Sequence, residues 1–312
     1  MIWLTLRQAR RELLFLLGLY MAALIYLLWT GISIHADVAR SLVLHCEAPP
    51  VANRLACSQL SIDNWSWVEG LTPWLGIFPA LFGFLVGVPL LAQEAEQGTL
   101  ILIWTQSVTR QRWVASKLGI CLVLVLIMAV GIQEVMQWWN GPFTLTFSRL
   151  SQPIYDFEGI LPYCLALAGF ALGLGAGVWL RRTALAVAVT LGSYLALWLG
   201  ADAGLRFHLV PSLIAYSTEP QVLSSGSQAV LLDQGWVDVQ HHIIDTSVVF
   251  TACDQPSQEF AQCLHDHAWL YYVHYLPDSS LGQMQAAEGG IICAVAVLCL
   301  VLAWWRILHM HL

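Results

Sequence analysis

Histidine side chains can bind metals and transfer protons near neutral pH, and half of the ten histidines lie in one stretch of the chain. They are His241, His242, His265, His267 and His274. His265 and His267 flank Asp266, but a zinc site needs three or four converging ligands, and residues two apart on a helix point to different faces. Solvated loop histidines are therefore favoured, and we predict no metal site.

Motifs for catalysis are missing from the sequence. It has no GxxxxGKS/T phosphate-binding loop, so nucleotide hydrolysis by this chain is not expected, and it has no GxSxG nucleophile elbow. Glu134, followed by Gln137, lies in an apolar run, where an acidic residue is a candidate for function. Because it lies near the end of that run, simple contact with water at the interface fits equally well. We predict no catalytic residue and no cofactor bound by this chain.

Charged residues are concentrated between residues 89 and 119, where Glu94, Glu96, Arg110, Arg112 and Lys117 separate two long apolar runs. A polar stretch between two membrane-length segments must lie at a membrane face. Residues 99–113 place apolar side chains on one helical face, as a helix on the membrane surface does. Arg110, Arg112 and Lys117 would lie where anionic lipid head groups attract them, so membrane lipid is an expected partner. A basic amphipathic linker and a docking surface for a partner protein both fit this pattern.

The elements that position these residues belong to a chain too apolar for a soluble domain. Of its 312 residues 58% are hydrophobic and 11% are charged, and the mean hydropathy is +0.67; soluble domains have roughly 25% charged residues. A helix needs about 20 apolar residues to cross a bilayer. Six segments have this length: 13–34, 71–92, 118–138, 160–180, 184–204 and 289–305. The second contains Pro73, Pro79 and Pro89, so we expect a kink or a break in it.

The basic residues predict the orientation of these spans. Nine of the thirteen Lys and Arg residues fall on the side that holds the N-terminus, and four fall on the other side. By the positive-inside rule, both termini are cytoplasmic in a multi-pass protein of the cytoplasmic (cell) membrane. The net charge of −7 and the lack of a large basic stripe make nucleic acid an unsuitable partner.

Cysteine positions agree with this topology. Cys121, Cys164, Cys293 and Cys299 fall in predicted spans, where a thiol packs as a small apolar group. The other four fall outside the cell, where Cys46 with Cys57 and Cys253 with Cys263 are expected to form disulfides, in preference to four free thiols. The first predicted unit is residues 1–204, with spans one to five and the charged cytoplasmic segment 94–117. An extracellular subdomain, helical or mixed, follows at 205–288, and a sixth span with a cytoplasmic tail at 289–312.

Glycines recur at four-residue spacing in two spans. Gly83 and Gly87 lie in the second, and Gly169, Gly173 and Gly177 lie in the fourth. Such stripes let helix backbones approach closely. Packing within the chain is at least as well supported as an interface with a second copy.

The run EAEQGTLILIWTQSVTRQRWVASKLG at residues 94–119 closely resembles the ExExGTxxxxWTQSVTRxRWxxxKL motif of permease subunits of type 2 ATP-binding cassette (ABC) exporters, in an actinobacterial-like branch. Weaker similarity extends to WLTLRQARREL at residues 3–13, to LRRTALAVAVTL at 180–191, and to HYLPDSSLGQMQAAEGGI at 274–291. The resemblance covers nearly the whole chain in order and length.

This resemblance implies an all-α polytopic membrane protein with six transmembrane helices, an N-terminal elbow helix, and a coupling helix after the second span that a separate ATPase grips. Arg7, Arg10 and Arg11 would lie on the elbow helix. The coupling residues would be Glu94, Glu96, Gly98, Thr99, Trp104, Thr105, Gln106, Ser107, Thr109, Arg110, Arg112 and Trp113. ATP and Mg would bind in the partner, and two permeases with two ATPases would form an exporter of an amphiphilic substrate.

A second class of function competes with transport. The disulfide-tied extracellular segment would also suit a membrane-anchored sensor or envelope assembly protein that binds a ligand outside the cell. An ATPase gene beside this one favours export, and a lone gene beside a regulator favours sensing.

Overall fold

The computed structural model describes residues 10–43, 77–96, 110–141, 148–150, 154–202, 206–217, 229–253 and 257–309. The helices of this part are α1 (Arg10–Val43), α2 (Phe78–Gly87), α3 (Pro89–Glu96), α4 (Arg110–Asn140), α5 (Leu161–Leu180), α6 (Thr183–Gly200), α7 (Thr246–Ala252), α8 (Ser257–Asp266) and α9 (Leu281–Leu308). The strands are β1 (Leu213–Ser217), β2 (Ala229–Val237), β3 (Ile243–Ile244) and β4 (Leu270–Pro277).

Five helices among the described residues are long and apolar enough to cross a membrane. The membrane-length segments are Leu14–Arg40, Gln111–Asn140, Leu161–Leu180, Thr183–Gly200 and Asp278–Leu308, and the last of them includes the 3-10 turn that precedes α9. These segments correspond to five of the six predicted spans. The predicted second span is represented by the shorter helices α2 and α3, and its first residues, 71–76, lie outside the described part.

The two halves of the second apolar segment meet at Pro89. Proline lacks an amide hydrogen and its ring clashes with the carbonyl one turn earlier, so a continuous helix is interrupted there. The amide of Val88 still donates to the Phe84 carbonyl at 2.9 Å, and a new helix runs from Pro89 to Glu96. The interruption expected from the prolines is therefore present at the third of them, and it is local, because Val88 keeps helical backbone angles (φ −63°, ψ −54°).

Glycines bring α2 and Val88, the residue between α2 and α3, into backbone contact with α5. A Cβ atom on Gly169 would lie 2.6 Å from the Ala80 carbonyl oxygen, and one on Gly177 would lie 2.8 Å from the Val88 carbonyl oxygen. A Cβ atom on Gly83 would collide with the backbone of Ala166. Both glycine stripes thus face each other within one chain, which was one of the two arrangements that their spacing allowed.

A second helix pair, α1 with α4, is joined by buried polar contacts. The indole Nε1 of Trp139 donates to the Thr30 hydroxyl at 3.0 Å, and the Tyr20 hydroxyl donates to the Met128 carbonyl at 3.2 Å. Trp139 and Thr30 are fully buried. The apolar core continues from this pair toward α5, so the long helices form one packed bundle.

The segment between α6 and α9 forms a four-stranded antiparallel sheet in the order β1-β4-β2-β3. Helices α7 and α8 pack on it through Trp236, Val249 and Leu264, and a disulfide joins Cys253 to Cys263. The all-α class is therefore correct for the long helices and wrong for this segment, because its strands depend on pairing between residues up to 62 positions apart, which local sequence does not show.

We call the end of the bundle that carries this sheet the sheet end and the other the opposite end. Helices α3 and α5 end at the opposite end, and α4 and α6 begin there. The last helix, α9, starts at the sheet end at Leu281, about two turns before the predicted span at residue 289.

Candidate functional site

The opposite end holds what the structure describes of the predicted coupling segment. Helix α3 ends at Glu96 and α4 begins at Arg110, so both edges of the segment are helical. Arg112 is exposed and Trp113 is half-buried at the start of α4. Outside the described residues lie Gly98, Thr99, Trp104, Thr105, Gln106, Ser107 and Thr109.

Glu96 caps a neighbouring helix. One of its carboxylate oxygens accepts from the Thr183 hydroxyl at 2.7 Å and the other from the Thr183 amide at 3.0 Å. Thr183 is the first residue of α6, where backbone amides have no partner within the helix and the helix dipole favours a negative charge. The hydroxyl hydrogen bond, followed by the amide hydrogen bond, lowers the pKa of Glu96.

Lys117 links α4 to α3. Its ammonium donates to the Leu90 carbonyl at 2.9 Å and lies 4.9 Å from the ring centroid of Trp113. Together with the bond from Thr183 to Glu96, this contact ties α3, α4 and α6 together on both sides of residues 97–109. We call Glu96, Thr183, Lys117 and Leu90 the coupling frame. The sequence identified the charges of Glu96 and Lys117 but not their partners, which lie 87 and 27 positions away.

The predicted elbow helix can be compared with the structure only in part. Arg7 lies outside the described residues, and Arg10 and Arg11 form the first residues of α1, which continues without a break into the long helix. Cys46 and Cys57 also lie outside the described part.

An apolar cavity of about 340 Å³ lies beside the coupling frame. Helices α1, α2, α3 and α6 line it, with Gln93 and Thr183 as its polar residues. The apolar lining residues are Phe15, Leu16, Phe84, Leu85, Val88, Pro89 and Val187. Since Thr183 belongs to both features, a change in the coupling frame would alter the wall of the cavity.

The sheet end contains a buried ionic cluster around Arg206, a residue whose side chain is 1% exposed. The guanidinium contacts Glu288 twice, with Nε to Oε2 at 3.1 Å and Nη2 to Oε1 at 3.0 Å. Its Nη2 also donates to Asp156 at 2.9 Å, and its Nη1 donates to Asp202 at 3.1 Å. The Tyr155 hydroxyl donates to Glu288 at 2.8 Å, and the guanidinium lies over the Tyr155 ring.

Four parts of the chain meet in this ionic cluster: the turn before α5, the end of α6, the 3-10 turn at Arg206–His208, and α9. Burial raises the pKa of Asp156 to about 6, even though the nearby Arg206 acts in the opposite direction. Arg206 falls in the predicted extracellular subdomain at 205–288, and the sequence does not connect it to Asp156 or Glu288. No local spacing relates residues 50 and 82 positions apart.

The remaining sequence candidates have ordinary surroundings. Glu134 is exposed on α4, whereas its neighbour Gln133 is buried and donates to the Gly159 carbonyl at 3.0 Å. Among the described residues, one group, formed by Cys253, Cys263 and His267, brings metal-ligand atoms together. Its two sulfurs are joined in the disulfide and are therefore unsuited to ligate a metal.

A comparison with protein-family models matches residues 17–206 to the family described as ABC-2 membrane transporter related. The match covers more than half of the chain, from α1 to Arg206, and so includes the coupling frame but not the sheet or α9. No curated protein and no solved structure matches the chain.

Proposed function

The chain belongs to the ABC-2 membrane transporter related family, and from this premise we propose that it is the membrane-spanning permease subunit of an ATP-driven exporter. Members of this family are transport components that work with an ABC ATPase subunit. Five long apolar helices agree with a multi-pass membrane protein. In the proposed complex the partner binds ATP and Mg and hydrolyses the nucleotide, and this chain holds no cofactor.

The coupling frame is the observation that carries the proposal. Residues 97–109, with Glu94, Glu96, Arg110, Arg112 and Trp113 at their edges, form the surface that the ATPase grips. Glu96 binds Thr183 at the start of α6, and Lys117 binds the carbonyl of Leu90 in α3. A displacement of this surface therefore moves α3, α4 and α6 together. ATP-driven closure of two ATPases would in this way change the bundle between inward-open and outward-open forms.

The exported substrate is proposed to be an amphiphile. The cavity beside the coupling frame has apolar walls and a polar end formed by Gln93 and Thr183, which suits a molecule with an apolar chain and a small polar group. Two copies of the permease, identical or related, would form the transport pathway. The opposite end would face the cytoplasm and the sheet end the outside, as the distribution of Lys and Arg predicts.

Charge reversal at the edge of the coupling segment tests the docking surface. We expect the double substitution Arg110→Glu and Arg112→Glu to abolish co-purification with the neighbouring ATPase, because a basic docking surface becomes acidic. Membrane insertion and yield of the permease should be unchanged, since Arg112 is exposed and pairs with no described residue in a salt bridge.

The matched control reverses two exposed charges at the sheet end, Arg40→Glu and Arg149→Glu. This variant should co-purify with the ATPase as the wild type does. Unchanged co-purification of the Arg110 and Arg112 variant, with normal insertion, would contradict the docking surface.

A sensor or envelope assembly role is the second candidate, and the disulfide-tied sheet is the observation that favours it. A chain of this kind would act without an ATPase. Purification from the native membrane with no ATPase bound, from a strain that encodes none beside this gene, would support it over transport.

A further inference from the structure

The ionic cluster at the sheet end contains more acids than bases. One guanidinium, that of Arg206, contacts three carboxyl groups, those of Asp156, Asp202 and Glu288. The side chains of Asp156 and Glu288 are each 2% exposed, whereas that of Asp202 is 35% exposed. With both buried acids ionised, the buried part of the cluster carries a net negative charge, which is costly in a medium that water does not reach.

The geometry distinguishes between the two buried acids. Glu288 takes the paired arrangement, with Nε and Nη2 of Arg206 on its two oxygens and a third hydrogen bond from the Tyr155 hydroxyl. Such paired contacts favour the ionised carboxylate. Asp156 shares Nη2 with Glu288 and has the indole Nε1 of Trp198, at 3.2 Å, as its other donor. The negative charge of an ionised Asp156 is therefore balanced by fewer hydrogen bonds and fewer guanidinium contacts than that of Glu288.

We propose that Asp156 is a proton-binding site at the sheet end, and that its protonation stabilises the clasp formed by Arg206, Glu288 and Asp156. In the protonated form one guanidinium faces one buried carboxylate, and the buried charges balance. In the deprotonated form an excess negative charge weakens the clasp. The half-exposed Asp202 places one edge of the cluster in contact with solution, from which the proton comes.

Each element packed around Asp156 contributes a polar or titratable group. They are Tyr155 from the same turn, Tyr194 and Trp198 from α6, Asp202 and Arg206 from the segment after α6, and Glu288 from α9. Of these groups, only Arg206 is positively charged. The raised pKa of Asp156, about 6, agrees with the charge balance.

The direction of the pH effect follows from this raised pKa. The folded protein binds a proton at Asp156 more tightly than the unfolded chain does, so the resulting stabilisation is complete below the ordinary pKa of an aspartate. It is lost as the pH rises through about 6. A more acidic outer solution therefore stabilises the clasp, and a more alkaline one weakens it.

The clasp also affects transport, and this part of the inference rests on the proposed function. It joins the turn before α5 to the end of α6 and to α9, so an outward opening between these helices has to separate Arg206 from at least one of its acids. Deprotonation of Asp156 lowers the free energy that is needed to separate Arg206 from its acids. External pH thereby regulates the outward-opening step.

Infrared difference spectroscopy of the purified permease in nanodiscs, without any ATPase, tests proton binding directly. We expect a protonated-carboxyl band that titrates with a midpoint near pH 6 and is missing in Asp156→Asn. Trp198→Phe removes one hydrogen bond to the carboxylate and should raise the midpoint by roughly 0.5–1 pH unit. Trp179→Phe, a control at the opposite end of the bundle, should leave it unchanged.

Two results would overturn proton binding at Asp156: a band that survives in Asp156→Asn, or a midpoint that is the same in Trp198→Phe and in the wild type. If Asp156→Asn does not fold, the shift in Trp198→Phe decides the question. Stability of the folded permease should also rise as the pH falls through 6, and over the same pH values it should rise more in Trp198→Phe, whose Asp156 binds the proton more tightly. Equal pH dependence would contradict the clasp.

The transport step is tested separately in the complete complex with its ATPase. We compare the transport rate at an outer pH above 6 with the rate at an outer pH below 6. The ratio of these two rates should change in Trp198→Phe, because the infrared midpoint changes in that variant. No shift in this ratio, in a complex that transports, would overturn the regulation while leaving the permease function intact. Failure to assemble with an ATPase would contradict the proposed function and leave the infrared result as the test of the proton site.

Discussion

Arg206 shows how a single residue can hold together distant parts of a membrane protein. Its side chain is 1% exposed, and its partners come from the turn before α5, the end of α6 and the start of α9. A buried ion pair adds little net stability relative to an apolar replacement of the whole pair, but removing one partner leaves an uncompensated charge. Arg206 is therefore important because its removal would leave the buried carboxyl groups of Asp156 and Glu288 without a counter-charge.

We expect Arg206→Met to lower the free energy of unfolding by about 3–5 kcal/mol, because two buried acids lose their counter-charge. Denaturation of the purified permease in detergent measures this change. Arg40→Met is the control: Arg40 is 71% exposed and pairs with Asp37, so its loss should cost less than about 1 kcal/mol. Equal effects of the two substitutions would show that the Arg206 cluster is no more than a surface ion pair.

At the scale of helices, α2 and Val88, the residue that follows it, approach α5 so closely that only glycine fits at the contact points. The absence of a side chain at Gly83, Gly169 and Gly177 lets carbonyl oxygens of one helix face the backbone of the other. Close backbone approach of this kind increases van der Waals contact, which drives helix association in a membrane. The broken second segment thereby remains attached to the bundle along its length.

Gly169→Ala should destabilise the permease by about 1–3 kcal/mol, because the new Cβ would lie 2.6 Å from the Ala80 carbonyl and the backbones would have to separate. Gly175 lies on the same helix with no atom within 4 Å of the corresponding position. Gly175→Ala should therefore leave stability unchanged or raise it by up to about 1 kcal/mol through helix propensity. Thermal unfolding of the two variants compares them, and equal destabilisation would contradict the close contact of α2 with α5.

The helices could be predicted where their formation depends on residues that are close together in the sequence. Length and hydropathy identify α1, α4, α5, α6 and α9, and the prolines predict the interruption that falls at Pro89. The sheet was not predictable in the same way, because β4 pairs with β1 and β2 across a long separation. The aromatic residues of β4 suit a strand, but pairing with a distant segment decides whether they form one.

The whole molecule has two polar ends joined by an apolar bundle. The opposite end carries the coupling frame and the cavity, and the sheet end carries the ionic cluster and the disulfide-tied sheet. A transporter needs one end to receive energy and the other to release substrate. In the proposed orientation the two ends have these roles, and α5, α6 and α9 run between them.

Labelling of intact cells tests this orientation. A cysteine introduced by Arg110→Cys should be protected from a membrane-impermeant maleimide until the membrane is permeabilised, because it lies at the predicted cytoplasmic end. One introduced by Gln240→Cys, on the exposed β2–β3 turn, should react at once. The parent protein provides the background labelling, and the reverse pattern would contradict the orientation.

The sequence by itself determined that this is a multi-pass membrane protein, where most of its helices lie, which apolar segment is interrupted, and which charged segment separates two apolar runs. These properties depend on residues that are neighbours in the chain. Only the tertiary structure decided that Glu96 caps α6, that the glycine stripes face each other within one chain, and that Arg206 gathers Asp156, Asp202 and Glu288. The physical reason is that a buried charge or a close backbone contact acquires its energy from groups far away in sequence, and folding brings those groups together.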